Sequence, residues 1–225
     1  MEGEVYHRIR NVLRMRPGDV IVVLDNSGWE YEAEILKIGS GIAEGRIRGK
    51  RICPAEPQVK VRIFQALLKG EKFDFVLQKG TEIGVSEFIP FLSERCVARN
   101  PGREKLRRWH QILKEAAEQS GRGKIPSLSE PLSFEEACRK AVSPCLFLWE
   151  GERERRISDA LEMLKASSSL DLFIGPEGGF SPREAEMALR SGFLPVSLGR
   201  RILRSETAAI VAAVLALYVL EERGV

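Results

Sequence analysis

The sequence predicts an α/β protein (α+β overall), with a small β-strand domain preceding a larger domain built on a mainly parallel sheet. Two observations set that expectation. Over the first fifty residues, short apolar or alternating runs are separated by glycine turns. Beyond the proline-broken stretch Cys53-Pro54-Ala55-Glu56-Pro57, apolar strands alternate with helical segments. The break sets domains at 1–56 and 57–225, and a chain of 225 residues is long enough for two cores.

In the first domain, Val20-Ile21-Val22-Val23-Leu24 is β-branched and apolar, and Asp25-Asn26-Ser27-Gly28 is a turn cluster. Residues 29–36 then alternate at period two. A turn at Gly39-Ser40-Gly41 leads into a strand over 42–47, and short strands on tight turns suggest a small barrel. In the second domain, strands are expected at 59–66, 88–91, 145–149, 170–174 and 194–198. Helices are expected at 71–83, 103–120, 134–141, 157–166, 182–191 (capped by Ser181) and 205–222.

Composition narrows the function classes. A hydrophobic fraction of 44% and a charged fraction of 30% are those of a soluble globular protein. The net charge is only +3, so a surface for a polyanion must come from local clustering of the 35 lysines and arginines. The four cysteines (Cys53, Cys96, Cys138, Cys145) lack zinc-clip spacing, and the two histidines, His7 and His110, lie far from them. No metal site is expected, and the thiols suit a reducing cytoplasm. No charged-then-apolar leader follows Met1. The longest apolar run, 208–220, is shorter than the about 20 residues of a membrane span. A cytoplasmic protein without membrane association is expected, and the run reads as a buried helix.

Three segments carry candidate chemistry. In Phe173-Ile174-Gly175-Pro176-Glu177-Gly178-Gly179-Phe180-Ser181 an apolar strand enters a glycine turn and then a helix. Ligands of open α/β sheets bind beyond the carboxyl ends of strands, and glycines there let backbone come close to a ligand. Neither the G-x-G-x-x-G nor the G-K-[ST] spacing is present, which argues against a dinucleotide fingerprint and a nucleotide hydrolase. A plain strand-to-helix connection remains the structural alternative. In the second segment, Val196-Ser197-Leu198-Gly199-Arg200-Arg201-Ile202-Leu203-Arg204-Ser205-Glu206, another strand ends at a glycine before an arginine-bearing loop and a helix start. Glu206 could simply complement the helix dipole, but two such turns imply one shared cleft. The third segment, 65–122, places Arg107, Arg108, Lys114 and Arg122 among Trp109 and His110. It reads as a solvated face or as a set of phosphate contacts.

Together these motifs resemble a known family. Gln-Lys-x-Thr-Glu-x-Gly-Val at 78–85, Ser-Glu-Arg at 93–95, Glu-Ala-Ala-Glu-Gln at 115–119, Gly-Pro-Glu-Gly-Gly at 175–179 and Leu-Gly-x-Arg-Ile-Leu-Arg-x-Glu-Thr-Ala at 198–208 are similar to those of the ribosomal small subunit methyltransferase E (RsmE) family. The 12–19 segment resembles that family's opening domain, and the resemblance covers nearly the whole chain. Two features depart from it: the family carries about a strand more before the segment matching Val5, and has His where this chain has Arg8.

The resemblance implies a PUA-like RNA-binding β-barrel followed by a SPOUT-type domain with a C-terminal trefoil knot, usually as a homodimer. It also implies S-adenosylmethionine as cofactor and methylation of N3 of one uridine in 16S ribosomal RNA or the small ribosomal subunit, near the decoding region. On that basis the cofactor pocket is assigned to Leu148, Ile174, Gly175, Glu177, Gly178, Ser197, Leu198, Gly199, Ile202, Leu203 and Ala208. Arg204 would stabilise a developing anion, and Glu206 would orient or accept the uracil proton. Glu118, Gln119 and Arg122 would hold the uridine. Arg8, Arg10, Arg14 and Arg16, with Arg46, Arg48, Lys50 and Arg51, would hold RNA phosphates. The alternatives are another SPOUT enzyme acting on a ribose 2′-oxygen or a different base, or a non-catalytic RNA-binding assembly factor.

Overall fold

The structure, a computed structural model, describes residues 1–98, 101–142 and 144–221. The chain divides into two compact units, Met1–Glu56 with Arg122–Lys124, and Pro57–Gly121 with Ile125–Val225.

The smaller unit begins with α1 (Gly3–His7), which continues as a π-helical turn over Arg8–Val12. Its strands β1 (Val20–Leu24), β2 (Trp29–Ile38) and β3 (Ala43–Ile52) form an antiparallel sheet in that order. Among the described residues this sheet has three strands, and one isolated bridge joins Glu2 to Ile42. Its core is small. Ile9, Ile35 and Ala43 are buried, ringed by Met1, Tyr6, Met15, Ile21 and Ile38. β3 runs five residues beyond the expected end at 47 because its charges are cross-strand partners rather than loop residues. Glu34 faces Arg46 and Glu30 faces Arg51 across the ladder, and Arg48 pairs with Glu34 at 2.9 Å. Residues 122–124 are built into this unit. The Arg122 guanidinium donates to both Glu56 carboxylate oxygens (3.2 and 3.1 Å), and the Gly28 N–H donates to the Gly123 carbonyl at 3.1 Å.

The larger unit carries β4 (Lys60–Ala66), α2 (Lys72–Ile83), β5 (Glu87–Leu92), α3 (Arg103–Ser120), β6 (Ser127–Leu128), β7 (Leu132–Ser133) and α4 (Phe134–Lys140). It continues through β8 (Cys145–Leu148), α5 (Ile157–Met163), β9 (Ser169–Ile174), α6 (Pro182–Arg190), β10 (Leu194–Val196) and α7 (Ser205–Glu221). Glu222, the expected end of the last helix, lies outside the described residues. The sheet order is β10-β8-β9-β4-β5-β6, with β7 also on β5, and every ladder is parallel.

Both sheet faces are covered, as parallel sheets require. One face packs Ile63, Leu172 and Leu146 against Phe73, Trp109 and the α7 alanines Ala209, Ala212, Ala213 and Ala216. These small side chains let α7 lie close to the strands. The other face holds Phe64, Phe91, Phe134, Phe147, Phe173, Phe180 and Phe193. Burial of the only charged side chain in β9, Asp171, is offset by a bidentate pair with Arg62 at 2.7 and 2.6 Å.

Candidate active site

β10, β8, β9 and β4 are consecutive in the sheet and run parallel, so their carboxyl ends share one edge. The loops that follow β8, β9 and β10 meet there. Ser197 exchanges backbone hydrogen bonds with the post-β8 loop, its N–H donating to Arg155 at 2.9 Å and its carbonyl accepting from Ile157 at 3.0 Å. The Ser205 hydroxyl, at the start of α7, donates to the Gly175 carbonyl at 2.5 Å. Ser205 thus ties the Gly175 turn to the start of the helix that follows the second glycine turn.

The Gly175–Gly179 turn is shaped by its neighbours. Gly179 has φ +67°, a backbone conformation that favours glycine, and a Cβ there would push aside the exposed Glu150 carboxylate. Arg95 Nη1 donates to the Gly178 carbonyl at 3.0 Å. The helix after the turn starts in a capping box: Glu184 N–H donates to Ser181 Oγ (3.2 Å) and Ser181 N–H to Glu184 Oε2 (2.9 Å). The same buried carboxylate accepts from Ser93 Oγ at 3.0 Å and from Glu94 N–H at 2.9 Å. The Ser-Glu-Arg motif therefore buckles the glycine turn in place.

Glu177 turns toward α2. Lys72 Nζ donates to it at 2.8 Å and the Lys69 N–H at 3.3 Å. Burial alone would raise the Glu177 carboxyl, but Lys72 and nearby backbone N–H groups hold it below its ordinary value. The Glu177 carboxylate correspondingly raises Lys72, whose ammonium also senses Glu206 and, with opposite sign, Arg204. Glu177, Arg204 and Glu206 thus share one electrostatic neighbourhood, with Lys72 as the member that sequence reasoning missed.

Among the described residues, two buried side-chain atoms lack a hydrogen-bond partner, Gln65 Oε1 and Glu206 Oε2. Each such acceptor costs about 1–3 kcal/mol, so both mark places where a donor from outside would be welcome. Beside them, Leu148, Leu198 and Ala208 are partly buried against the core cluster that contains Ile174. An apolar floor with unmet acceptors at its end fits an adenosyl ligand carrying a polar tail.

Other expected site residues lie differently. Leu203 is half-buried, while Gly199 is exposed with φ +110°, a conformation that favours glycine. Ile202 is 93% exposed, so its side chain sandwiches nothing within this subunit. Arg204 is exposed, as are Arg8, Arg10, Arg14 and Arg16 in the smaller unit. Arg10 Nη1 bonds the Tyr6 hydroxyl. Arg122 is a correction: it is buried in the smaller unit with its guanidinium on Glu56, because Glu56 needs a partner where the chain re-enters that unit. It is unavailable to a uridine. Glu118 is exposed near Lys114 (3.9 Å), and Gln119 lines a groove of about 800 Å³ between α2 and α3. That groove holds none of the assigned cofactor residues. Its lining includes Glu71, Asp74, Glu82 and Glu115 against Lys79 and Arg108, both already ion-paired, so it is a poor host for phosphates. Among the described residues no cluster of His, Cys, Asp and Glu could hold a metal ion, and no helix is long and apolar enough to cross a membrane.

Comparison with known proteins shows what the chain is similar to. A family model described as an RNA methyltransferase domain matches residues 55–217, and one described as an RNA methyltransferase PUA domain matches residues 2–48. Ribosomal RNA small subunit methyltransferase E of Bacillus subtilis (strain 168) is 33% identical over 219 residues, covering 93% of this chain and 86% of that protein. The protein of the same name from Synechocystis is 34% identical, covering 92% and 68%. The crystal structure of ribosomal RNA small subunit methyltransferase E from Neisseria gonorrhoeae bound to S-adenosyl methionine superposes with a TM-score of 0.78 at 31% identity, covering 95% of this chain and 88% of that one.

Proposed function

The chain belongs to the ribosomal RNA small subunit methyltransferase E family, and from that premise we propose that it methylates N3 of one uridine in 16S ribosomal RNA. It is a ribosomal RNA methyltransferase, and its cofactor is S-adenosylmethionine. The observation that carries the reading is the Ser205 hydroxyl on the Gly175 carbonyl, which ties the first glycine turn to the helix start that bears the unmet Glu206 oxygen.

When bound, the cofactor supplies an electrophilic methyl group on a sulfonium. Leu148, Ile174, Leu198 and Ala208 offer apolar contact for its adenine, and backbone groups at Gly175 and Leu198 offer hydrogen bonds to its edge and ribose. Uracil N3–H is a weak nucleophile until it loses its proton. Glu206 Oε2, buried and without a donor, is suited to accept that hydrogen bond and then the proton. Arg204, exposed beside it in sequence, supplies positive charge for the uracil oxygen that gains electron density.

The same reading extends to finer points. The smaller unit is read as part of a PUA-like RNA-binding barrel, with Arg8, Arg10, Arg14 and Arg16 on phosphates, supported by the family match over 2–48. The loops after β8, β9 and β10, packed against one another, are read as a trefoil knot. A homodimer in the cytoplasm completes the picture. Its seam is read on α7, where Val214, Leu215 and Tyr218 are 45%, 36% and 66% exposed, and where Ile202 would find cover.

The test is to incubate unmodified small-subunit rRNA, free and as assembled subunits, with the protein and labelled S-adenosylmethionine. Methylated nucleotides are then mapped by mass spectrometry and reverse transcription. A single base-methylated uridine that stops extension is expected, because an N3 methyl blocks Watson–Crick pairing. A methyl on a ribose or another base, or no transfer from a folded protein that binds the cofactor, would overturn it.

A further inference from the structure

Of the two unmet buried acceptors, Glu206 Oε2 has a role in the reaction above and Gln65 Oε1 has none. Gln65 is the penultimate residue of β4, is fully buried, and lies in register with Ile174, one residue before Gly175. Its amide nitrogen donates to the Ala66 carbonyl (3.1 Å), to Ser205 Oγ (3.0 Å) and, at 3.5 Å, to the Gly175 carbonyl. Carbonyls only accept, so these contacts fix which end of the amide is nitrogen. Turning it over would set its oxygen against two other oxygens. The Ser205 proton is committed to Gly175. The donors of Gln65 are therefore spent on tying β4, the Gly175 turn and α7 together, while its oxygen is left without a donor.

An amide oxygen is too weak a base to take a proton, and it would disfavour the uracil anion, which needs donors. It suits a group that keeps its N–H bonds throughout the reaction. On the reading above the reacting methyl would face Arg204 and Glu206, and the methionyl tail would lie toward Ser205 and Gln65. That tail has two polar groups: a carboxylate that needs donors and an ammonium that needs acceptors. We propose that Gln65 is a cofactor-binding residue whose Oε1 accepts a hydrogen bond from the α-ammonium of the methionyl tail, while its Nε2 ties the Gly175 turn to the start of α7. The proposal rests on the cofactor reading above.

Calorimetric titration with three nucleosides tests it. S-adenosylhomocysteine carries both tail groups, its decarboxylated analogue keeps only the amine, and 5′-methylthioadenosine has neither. Gln65→Leu also removes the Nε2 lock, a loss common to all three ligands, and should weaken the first two about tenfold more than 5′-methylthioadenosine, the scale of a hydrogen bond to a charged group. Gln65→Met, closer in shape, should repeat the pattern if the leucine variant folds poorly, and binding of 5′-methylthioadenosine itself reports an intact pocket. Equal losses for all three ligands, no loss for any, or a loss confined to the carboxylate-bearing ligand would each overturn the assignment. Wild-type protein that binds none of the three would instead defeat the cofactor reading itself.

Discussion

Glu184 is the residue whose replacement tests most directly how the glycine turn is held. Its carboxylate is 2% exposed and accepts three hydrogen bonds, from Ser181 N–H, Ser93 Oγ and Glu94 N–H, at 2.9, 3.0 and 2.9 Å. Glu184→Gln keeps the size but leaves one oxygen where there were two, so its amide NH₂ must face at least one donor. Hydrogen bonds to charged groups contribute about 1.5–3 kcal/mol each. Losing one outright and the charge assistance of the others should destabilise the larger unit by about 3 kcal/mol. In a domain of this size that corresponds to about 6–12 °C in Tm. Thermal and urea unfolding followed by circular dichroism measure it, with Ser181→Ala, expected to cost about 1 kcal/mol, as the scale. Because Ser93 and Glu94 lead into Arg95 and its bond to Gly178, cofactor affinity should also fall well below the melting range. A Tm within about 2 °C of wild type would show that the three bonds contribute little and that the turn is held by something else.

Other outcomes follow from the same structure. Glu206→Gln should cut turnover while leaving cofactor affinity near wild type in calorimetry; an unchanged rate would remove Glu206 from proton transfer. Replacing Arg14 and Arg16 together with Gln should flatten the plot of log binding constant against log salt by up to about 2, and an unchanged slope would exclude that patch from RNA. Burial pushes the Cys138 thiol up to about 12 and raises Cys145 well above the ordinary thiol range. Both are therefore neutral at pH 8 and should resist iodoacetamide in the folded protein while reacting in urea. Labelling of either in the native state, read by peptide mass spectrometry, would contradict that burial.

The larger unit was legible because its signals are redundant. Apolar strands, Ser181 with Glu184 three residues on, and glycines at strand ends all report the same local structure, and the α6 capping box forms as that spacing implies. The smaller unit hid more. Residues 3–12 are helical, yet their charges interrupt any apolar periodicity and only Ile9 is buried there. The strand past residue 47 was masked by arginines and lysines whose partners lie on another strand. In the site, the backbone turns could be read, but Gln65, Lys72 and Ser205 could not. Their importance comes from long-range partners such as Glu177 and Gly175, which sequence spacing does not encode. A polar residue at the end of an apolar parallel strand was the one available hint for Gln65. Arg122 misled for the opposite reason, since a lone arginine after a basic helix looks exposed until its carboxylate is known.

Residues 122–124 make the smaller unit discontinuous. A fragment cut after position 56 would lose the guanidinium that neutralises Glu56 and the carbonyl that receives the Gly28 N–H. Such a truncation should be poorly soluble or only partly structured, however tidy its boundary looks on paper. Grafting the head onto another enzyme would therefore require carrying a second, distant tripeptide along with it.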